Sequence, residues 1–355
     1  MPFANSDLIV VTGANGHVAQ HVVSQLLSFH APVRVRGTVR SSTVAQKLYA
    51  AFDSFVSSGR LEIAIVPDLT VDSAFDDAIQ GATYVAHIAS PLNMSPENVE
   101  NDLLMPAIKG NICILESIMK KSGIKAVVIT SSFVAAFDAR HGFREGYTYS
   151  SADWNPISYD EAADPRQDMS QYPEKWRPWI TYMASRKLAE KAAWDFYRKH
   201  QPTWALSTLL PSFIGGPFVL PLTKGAGSLT FSTSLIWRTA LGSEPLFHND
   251  FPHWVDVRDV AKAHIQALIT PAAWGRRIVR KHYPEMGPSR EKQQVTAVAE
   301  LRYKWSLTDL IQVHHYSIDS GSSLSILGMD SWISPEQMIV DLIKQLKRTT
   351  LSDAL

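Results

Sequence analysis

The chain has 355 residues, 45% of them hydrophobic and 19% charged, with 34 basic and 34 acidic side chains and a formal net charge of zero. Such a composition buries a large interior and excludes disorder, and the balanced charge without a basic cluster argues against nucleic acid or an anionic membrane as partner. The single cysteine, Cys113, forbids an intrachain disulfide and reads as buried filler in the run Asn111–Leu115.

The N-terminus lacks a basic region followed by a long apolar run, and no apolar stretch reaches membrane-spanning length. A cytoplasmic location is therefore expected. Leu8–Thr12 is a short apolar strand ending in Gly13. Val18, Val22, Val23, Leu26 and Leu27 then share one helical face. Strands are predicted at Val33–Val39, Leu61–Val66, Tyr84–Ile88 and Ala126–Thr130, and helices at Thr43–Phe55, Val71–Ile79 and Leu103–Lys120. This alternation argues for an α/β fold of Rossmann type, a doubly wound parallel sheet covered on both faces. Asp138–Trp179 has no clear period and reads as an irregular surface segment. Thr181–His200 is a helix and Trp204–Leu210 a further strand. The stretch 211–251, with four prolines and five glycines, leaves the sheet. Trp254–Val257 reads as a return strand, Asp259–Ile269 as a helix, Val279–Tyr303 as an exposed insertion, and Gln337–Leu346 as a terminal helix. The expected division puts residues 1–210, with about 252–275, in a dinucleotide-binding domain. Residues 211–251 and 276–355 form a smaller C-terminal substrate-binding part.

The turn after the first strand reads Thr12-Gly13-Ala14-Asn15-Gly16-His17-Val18-Ala19. Gly13 allows a tight turn, Gly16 allows close backbone approach to a pyrophosphate, and Ala19 allows close helix packing. The helix N-terminus then favours the phosphates. Gly13, Asn15, Gly16, His17 and Val18 are accordingly candidate cofactor contacts. The spacing Thr-Gly-x-x-Gly-x-x-Ala resembles that of the short-chain dehydrogenases.

The second strand ends at Arg40, and no acidic residue lies between Asp7 and Asp53. An acid at this point would hold the ribose of NAD, whereas an arginine offers its donor fork to a 2′-phosphate. Arg40, with Lys47 on the next helix, points to NADP(H). Dihydroflavonol-reductase-like enzymes carry Arg and Lys at this spacing, so the resemblance implies the same cofactor. It also implies that Asp68 and Leu69 lie against adenine, and that Ala89 and Ser90, in His87-Ile88-Ala89-Ser90-Pro91, border the ribose. His87 itself reads as a satisfied strand-end histidine. In Leu210-Pro211-Ser212-Phe213-Ile214-Gly215-Gly216-Pro217, the resemblance places Pro211, Phe213 and Ile214 beside the nicotinamide.

Carbonyl reduction needs a proton donor and a group that binds the carbonyl oxygen. A tyrosine serves if a nearby cation lowers its pKa from about 10. Ile129-Thr130-Ser131-Ser132 closes a strand at the sheet edge where such folds bind ligands. By resemblance Ser132 is the catalytic serine, with Ser131 its rival. The helix opening Tyr182-Met183-Ala184-Ser185-Arg186-Lys187-Leu188-Ala189-Glu190-Lys191 resembles the family pattern Tyr-x-x-x-Lys-x-Leu-Ala-Glu-Lys, with Arg186 at the lysine position. Residues four apart share a helix face and residues five apart do not, so Arg186 rather than Lys187 stands beside Tyr182. Arginine keeps the charge but cannot relay a proton. Two alternatives stay open: a local shift that swings Lys187 inward, and a protein whose chemistry is lost or altered.

The resemblance runs through nearly the whole chain, to extended short-chain dehydrogenases of the dihydroflavonol-reductase-like type and to fungal NADPH-dependent aldehyde and ketone reductases related to yeast methylglyoxal reductase. The loop Gly146–Tyr149 with Asp153–Pro156 and the stretch Trp254–Ala261 carry it further. It implies reversible reduction of an aldehyde or ketone, an alcohol dehydrogenase or carbonyl reductase compatible with secondary metabolism. No metal is expected. The partner would be a small-molecule carbonyl or alcohol, and the chain a monomer or homodimer. Phe133, Val134, Phe213, Ile214 and Trp237 are expected to line an apolar pocket, while Trp176, Trp179 and Trp194 read as packing residues. An isomerase, epimerase or lyase of the same fold, and a non-catalytic NADP(H)-binding protein, are the other readings.

Overall fold

The computed structural model describes residues 3–29, 32–91, 93, 95–164, 166–223, 225–240, 253–280, 315–319 and 321–352. Through Thr130 the chain runs β1 (Leu8–Val11), α1 (His17–Leu27), β2 (Arg34–Val39), α2 (Ser42–Ala51), α3 (Asp53–Ser57), β3 (Leu61–Ile65), β4 (Tyr84–His87), α4 (Met105–Met119) and β5 (Ala126–Thr130). There follow β6 (Thr148–Tyr149), α5 (Tyr159–Ala163), α6 (Ile180–His200), β7 (Ala205–Pro211), β8 (Phe213–Gly215), α7 (Phe231–Ala240), β9 (Trp254–Asp256), α8 (Val257–Ile269), β10 (Arg276–Arg280), β11 (Ser317–Ile318) and a terminal helix, Pro335–Ser352.

Seven strands form one sheet in the order β10-β7-β5-β4-β1-β2-β3, and every pairing in it is parallel. All residues of β1, β4 and β7 are buried, as expected when helices cover both faces. Helices α1 and α8 pack with one set of strand side chains around Ile9, Val35 and Val128. Ile114, Ile118 and Trp194, from α4 and α6, cover the other set around Val10, Val85 and Val127. The chain steps outward from β1 to β3, then returns to place β4 on the other side of β1. That reversal opens a crevice at the carboxyl ends of the strands.

Several elements depart from the sequence reading. The helix expected over Thr43–Phe55 breaks at Phe52 (φ −125°, ψ 30°), whose side chain turns into the α1 core. Val71–Ile79 is a run of turns, interrupted by Ser73 in the left-handed region at φ 63°. Phe75 and Ile79 still bury, so the helical spacing of apolar residues is satisfied without a helix. Asp138–Trp179 is irregular and largely exposed, as expected, but it is not only surface. Tyr149, Tyr172 and Trp176 are fully buried and join Phe133, Phe137 and Tyr316 in a second core. The segment is built from short pieces, among them α5, which opens on a Ser158–Glu161 capping box.

Trp254–Asp256 does not return to the main sheet. It pairs with β8 in a separate two-stranded sheet, and the edge of the main sheet is β10, lying parallel to β7. The boundary expected at 276 therefore cuts through a strand of the larger sheet, and Val279 and Arg280 belong to that strand rather than to an insertion. The remainder of that expected insertion, and residues 241–252, lie outside the described residues. A fourth apolar cluster joins Leu222, Ile236 and Trp254 to Met338, Leu342 and Ile343 of the terminal helix. Arg258 closes this junction, reaching Asp256 and Asp341 at 2.7 Å each. No helix among the described residues is long and apolar enough to cross a membrane.

Candidate active site

A cleft of about 550 Å³ opens at the carboxyl ends of β1, β2, β4, β5 and β7. Its floor begins at the glycine turn. Gly13 adopts φ +64°, and a side chain there would lie 3.1 Å from the Ala89 Cβ, so only glycine fits. In β2, Gly37 serves the same turn, because a Cβ would come within 2.7 Å of Ala14 Cβ. Thr12 fixes the strand ends. Its Oγ1 accepts from the backbone N–H of Ile88 (2.9 Å) and Ala89 (3.0 Å) and lies 3.0 Å from His87 Nδ1. Helix α1 starts at Gly16 with no side-chain cap and no acid in its first turn. Its first N–H groups are thus left to an outside acceptor. This open, uncapped turn fits the pyrophosphate of a dinucleotide.

Of the residues expected around a cofactor, Gly13, Asn15, Gly16, His17, Val18 and Arg40 line the cleft. So do Leu69, Ala89, Ser90, Pro211, Phe213 and Ile214. Lys47 and Asp68 do not. Lys47 is exposed on α2. Asp68 is exposed, and its Oδ1 accepts from the Thr70 N–H at 2.8 Å and hydroxyl at 2.7 Å, bonds that lower its pKa. Leu69 reaches the cleft because Gly110 on α4 makes room; a Cβ there would meet Leu69 Cδ1 at 2.4 Å. His87 is buried, and its pKa is pushed down to about 3, first by desolvation and then by the Arg186 charge.

Ser132, Tyr182 and Arg186 also line this cleft. Among the described residues, neither the Ser132 hydroxyl nor the Tyr182 hydroxyl is spent on an internal hydrogen bond. Ser131 differs: its hydroxyl donates to Glu190 Oε2 at 2.7 Å. Helix α6 carries Tyr182 and Arg186 one turn apart, as the four-residue spacing requires. Arg186 is buried at 7% exposure. It donates to the Ser90 hydroxyl and, at 3.5 Å, to the Thr130 carbonyl. Lys187 is turned elsewhere, donating to the Ile157 carbonyl at 2.6 Å. The inward swing considered for Lys187 does not occur.

Beneath these groups lies a polar network that local sequence patterns do not reveal. The Glu190 carboxylate, fully buried, meets Arg277 at 2.8 Å and takes the Thr208 hydroxyl at 2.7 Å. Arg277 also donates to the carbonyls of Ser151 and Asp153 and stacks 3.5 Å over Trp154. Thr130 Oγ1 lies 2.7 Å from His264 Nε2, and His264 Nδ1 lies 2.8 Å from the Val260 carbonyl. Both networks tie the end of β5 to its surroundings.

The far end of the cleft is apolar. Phe133, Phe213 and Ile214 line it as expected, but Val134 and Trp237 do not: Val134 packs into the second core and Trp237 against the terminal-helix cluster. Met183, Phe231 and Trp179 take their place. Trp179, read from sequence as packing, meets Phe231 edge to face at 4.9 Å on the cleft wall. Away from the cleft, Asp72, Cys113 and Glu116 bring ligand-type atoms within 4.8 Å of one another, a grouping invisible in the sequence. Cys113 is buried, which raises its thiol pKa.

The sequence profile of the 3-beta hydroxysteroid dehydrogenase/isomerase family matches residues 10–154. Aldehyde reductase 2 of Sporidiobolus salmonicolor is 33% identical over 276 residues, covering 76% of this chain and 75% of its own. The NADPH-dependent methylglyoxal reductase of Saccharomyces cerevisiae is 31% identical over 279 residues, 76% of this chain and 77% of its own. The crystal structure of Candida albicans Gre2 in complex with NADPH superposes with a TM-score of 0.78 at 31% identity, covering 97% of this chain and 99% of that one. The chain belongs to the extended short-chain dehydrogenase/reductase family, on the branch of the fungal NADPH-dependent aldehyde and methylglyoxal reductases.

Proposed function

We propose that this chain is an NADPH-dependent oxidoreductase that reduces an aldehyde or ketone to the alcohol, reversibly. The carrying observation is that Ser132, Tyr182 and Arg186 border one cleft, with both hydroxyls unspent among the described residues and the cation buried between Ser90 and Thr130. The names of the relatives, an aldehyde reductase and an NADPH-dependent methylglyoxal reductase, support the same reading.

The glycine turn, Ala89 and Ser90 would hold the dinucleotide, and Arg40 would take its 2′-phosphate through paired charge-assisted bonds. When bound, the reduced nicotinamide supplies the hydride. Ser132 donates a hydrogen bond to the carbonyl oxygen, and Tyr182 gives that oxygen its proton. The phenolate left behind is stabilised by the Arg186 guanidinium, which relays no proton and acts electrostatically only. Phe133, Trp179, Met183 and Phe231 form the apolar wall against the rest of the substrate.

The test is a panel of aldehydes and ketones assayed by loss of NADPH absorbance, with Tyr182→Phe alongside. Stoichiometric oxidation by the native chain, and a loss of at least about a hundredfold in the variant, is the expected result. Product formation with NADPH unchanged would point to an isomerase or lyase instead.

A further inference from the structure

His17 is the first helical residue of α1, directly after the glycine turn. Its ring stacks on Phe218 with centroids 4.1 Å apart and planes 21° from parallel. Its Nε2 lies 3.0 Å from the Pro217 carbonyl oxygen, and His21, one turn later, places its own Nε2 2.8 Å from the same oxygen. A carbonyl oxygen only accepts, so both rings carry a proton on Nε2. In the neutral ring Nδ1 is then a bare acceptor. No hydrogen bond of ordinary geometry is formed by the His17 Nδ1 among the described residues, the Gly216 carbonyl being the other backbone group that acts on the ring, and the residue lines the cleft beside Gly16.

The free protein favours the neutral form. Burial, with a smaller push from His21, lowers the His17 pKa to about 4. The charged groups nearest the pair are already matched: Asp256 and Arg258, which face His21, bind each other, and Arg258 also binds Asp341. The segment Pro217–Leu220 brings no ionisable group. It is instead pinned by Gln20, whose Oε1 accepts from the Val219 and Leu220 N–H groups at 2.8 and 2.6 Å. His17 is therefore fixed in place, at the border of an anion site.

A pyrophosphate arriving at α1 would set acceptor against acceptor. We infer that His17 takes up a proton from solvent on Nδ1 when the dinucleotide binds, becoming a donor to the anion while Nε2–H keeps its hold on Pro217. Cofactor binding is then linked to proton uptake. The inference rests on the dinucleotide reading of the glycine turn and assigns His17 a task its place in that turn does not by itself imply.

The experiment is calorimetric titration of NADPH into the full chain near pH 6, between the ordinary histidine pKa and the depressed one, in two buffers of different ionisation enthalpy. A 2′-phosphate titrates near pH 6 and can release protons of its own, so the quantity read is the difference between the native chain and His17→Gln. Glutamine keeps a donor for Pro217 but cannot be protonated. For each NADPH bound, the native chain should take up more protons than His17→Gln does, by roughly half a proton or more. His21→Gln should keep that uptake. Equal proton numbers for the native chain and His17→Gln overturn the inference while leaving the cofactor reading intact; failure of the native chain to bind NADPH overturns both. Should His17→Gln not fold, histidine nitrogen resonances of the native chain give the same answer: one imidazole should become protonated on adding NADPH, and none doing so overturns the inference.

Discussion

Arg277 reaches Glu190 at 2.8 Å inside the protein, and the same carboxylate takes the Ser131 hydroxyl at 2.7 Å. Ser132, the next residue, keeps its hydroxyl for the cleft. Two adjacent serines are thus divided between holding the end of β5 and facing a ligand. Ser132→Ala should lower kcat by about a hundredfold with little change in melting temperature. Ser131→Ala should cost about 1 kcal/mol of stability and leave turnover within a few-fold. Initial rates and thermal melts of the two variants, measured together, check the division.

Removing one partner of the Glu190–Arg277 pair leaves the other charge buried, with side-chain exposures of 0% and 8%. Arg277→Ala should therefore destabilise by about 3–5 kcal/mol. A denaturant midpoint unchanged from the native chain would refute this.

Arg186 reaches Ser90 and the Thr130 carbonyl with two separate guanidinium nitrogens, whereas a lysine would have to serve both from one. Arg186→Ala should lose about a hundredfold or more in kcat. Arg186→Lys should fall between Arg186→Ala and the native chain, because it keeps the charge but not the paired contacts. Steady-state rates with saturating NADPH decide the order, and a lysine variant as slow as alanine would show that the fork matters and the charge does not.

Arg40 borders the cleft at the end of β2, whereas Lys47 lies outside it. A charge-assisted bond is worth about 1.5–3 kcal/mol, so Arg40→Ala should raise KM for NADPH roughly ten- to a hundredfold while changing that for NADH little. Lys47→Ala should change neither by more than about threefold. Comparing both coenzymes on both variants separates recognition of the 2′-phosphate from general weakening.

Burial lowers the pKa of His87 to about 3 and that of His17 to about 4. Unfolded histidines take up protons near pH 6.5. Below that point the unfolded chain binds more protons than the folded one, so stability falls as pH drops from about 6.5 toward 4. Urea midpoints across this range should fall, and fall less steeply in His87→Gln. A flat profile would mean that neither ring is held neutral.

The inner strands were legible because β1, β4 and β5 are short, almost wholly buried apolar runs and the first turn carries glycine where the backbone demands it, at Gly13. The catalytic candidates were legible because Tyr182 and Arg186 are four apart on one helix, a purely local relation. Nothing local marks the partner of Glu190, which is 87 positions away in Arg277, or the shared carbonyl of His17 and His21 some 200 positions on. The buried aromatics Tyr149 and Tyr172 escaped for a related reason, as did the core that they form with Trp176, which was read as a packing residue. They converge from short pieces with no common period, and a search for 2.0 or 3.6 repeats passes over them. Trp254–Asp256 shows the remaining failure: its apolar character marks a strand but cannot say which sheet it joins.

Gln345 of the terminal helix binds both the N–H and the carbonyl of Phe218, at 2.8 and 2.7 Å, while α1 grips the residues on either side of that peptide. The last helix and the first are therefore sewn to a single stretch of chain between them. A truncated protein ending after β7, or a chimera that grafts a foreign cover onto this nucleotide half, would strip α1 of the partners for His17, Gln20 and His21. Any transplant would have to carry the 217–220 stretch and the terminal helix together, as one inseparable cassette.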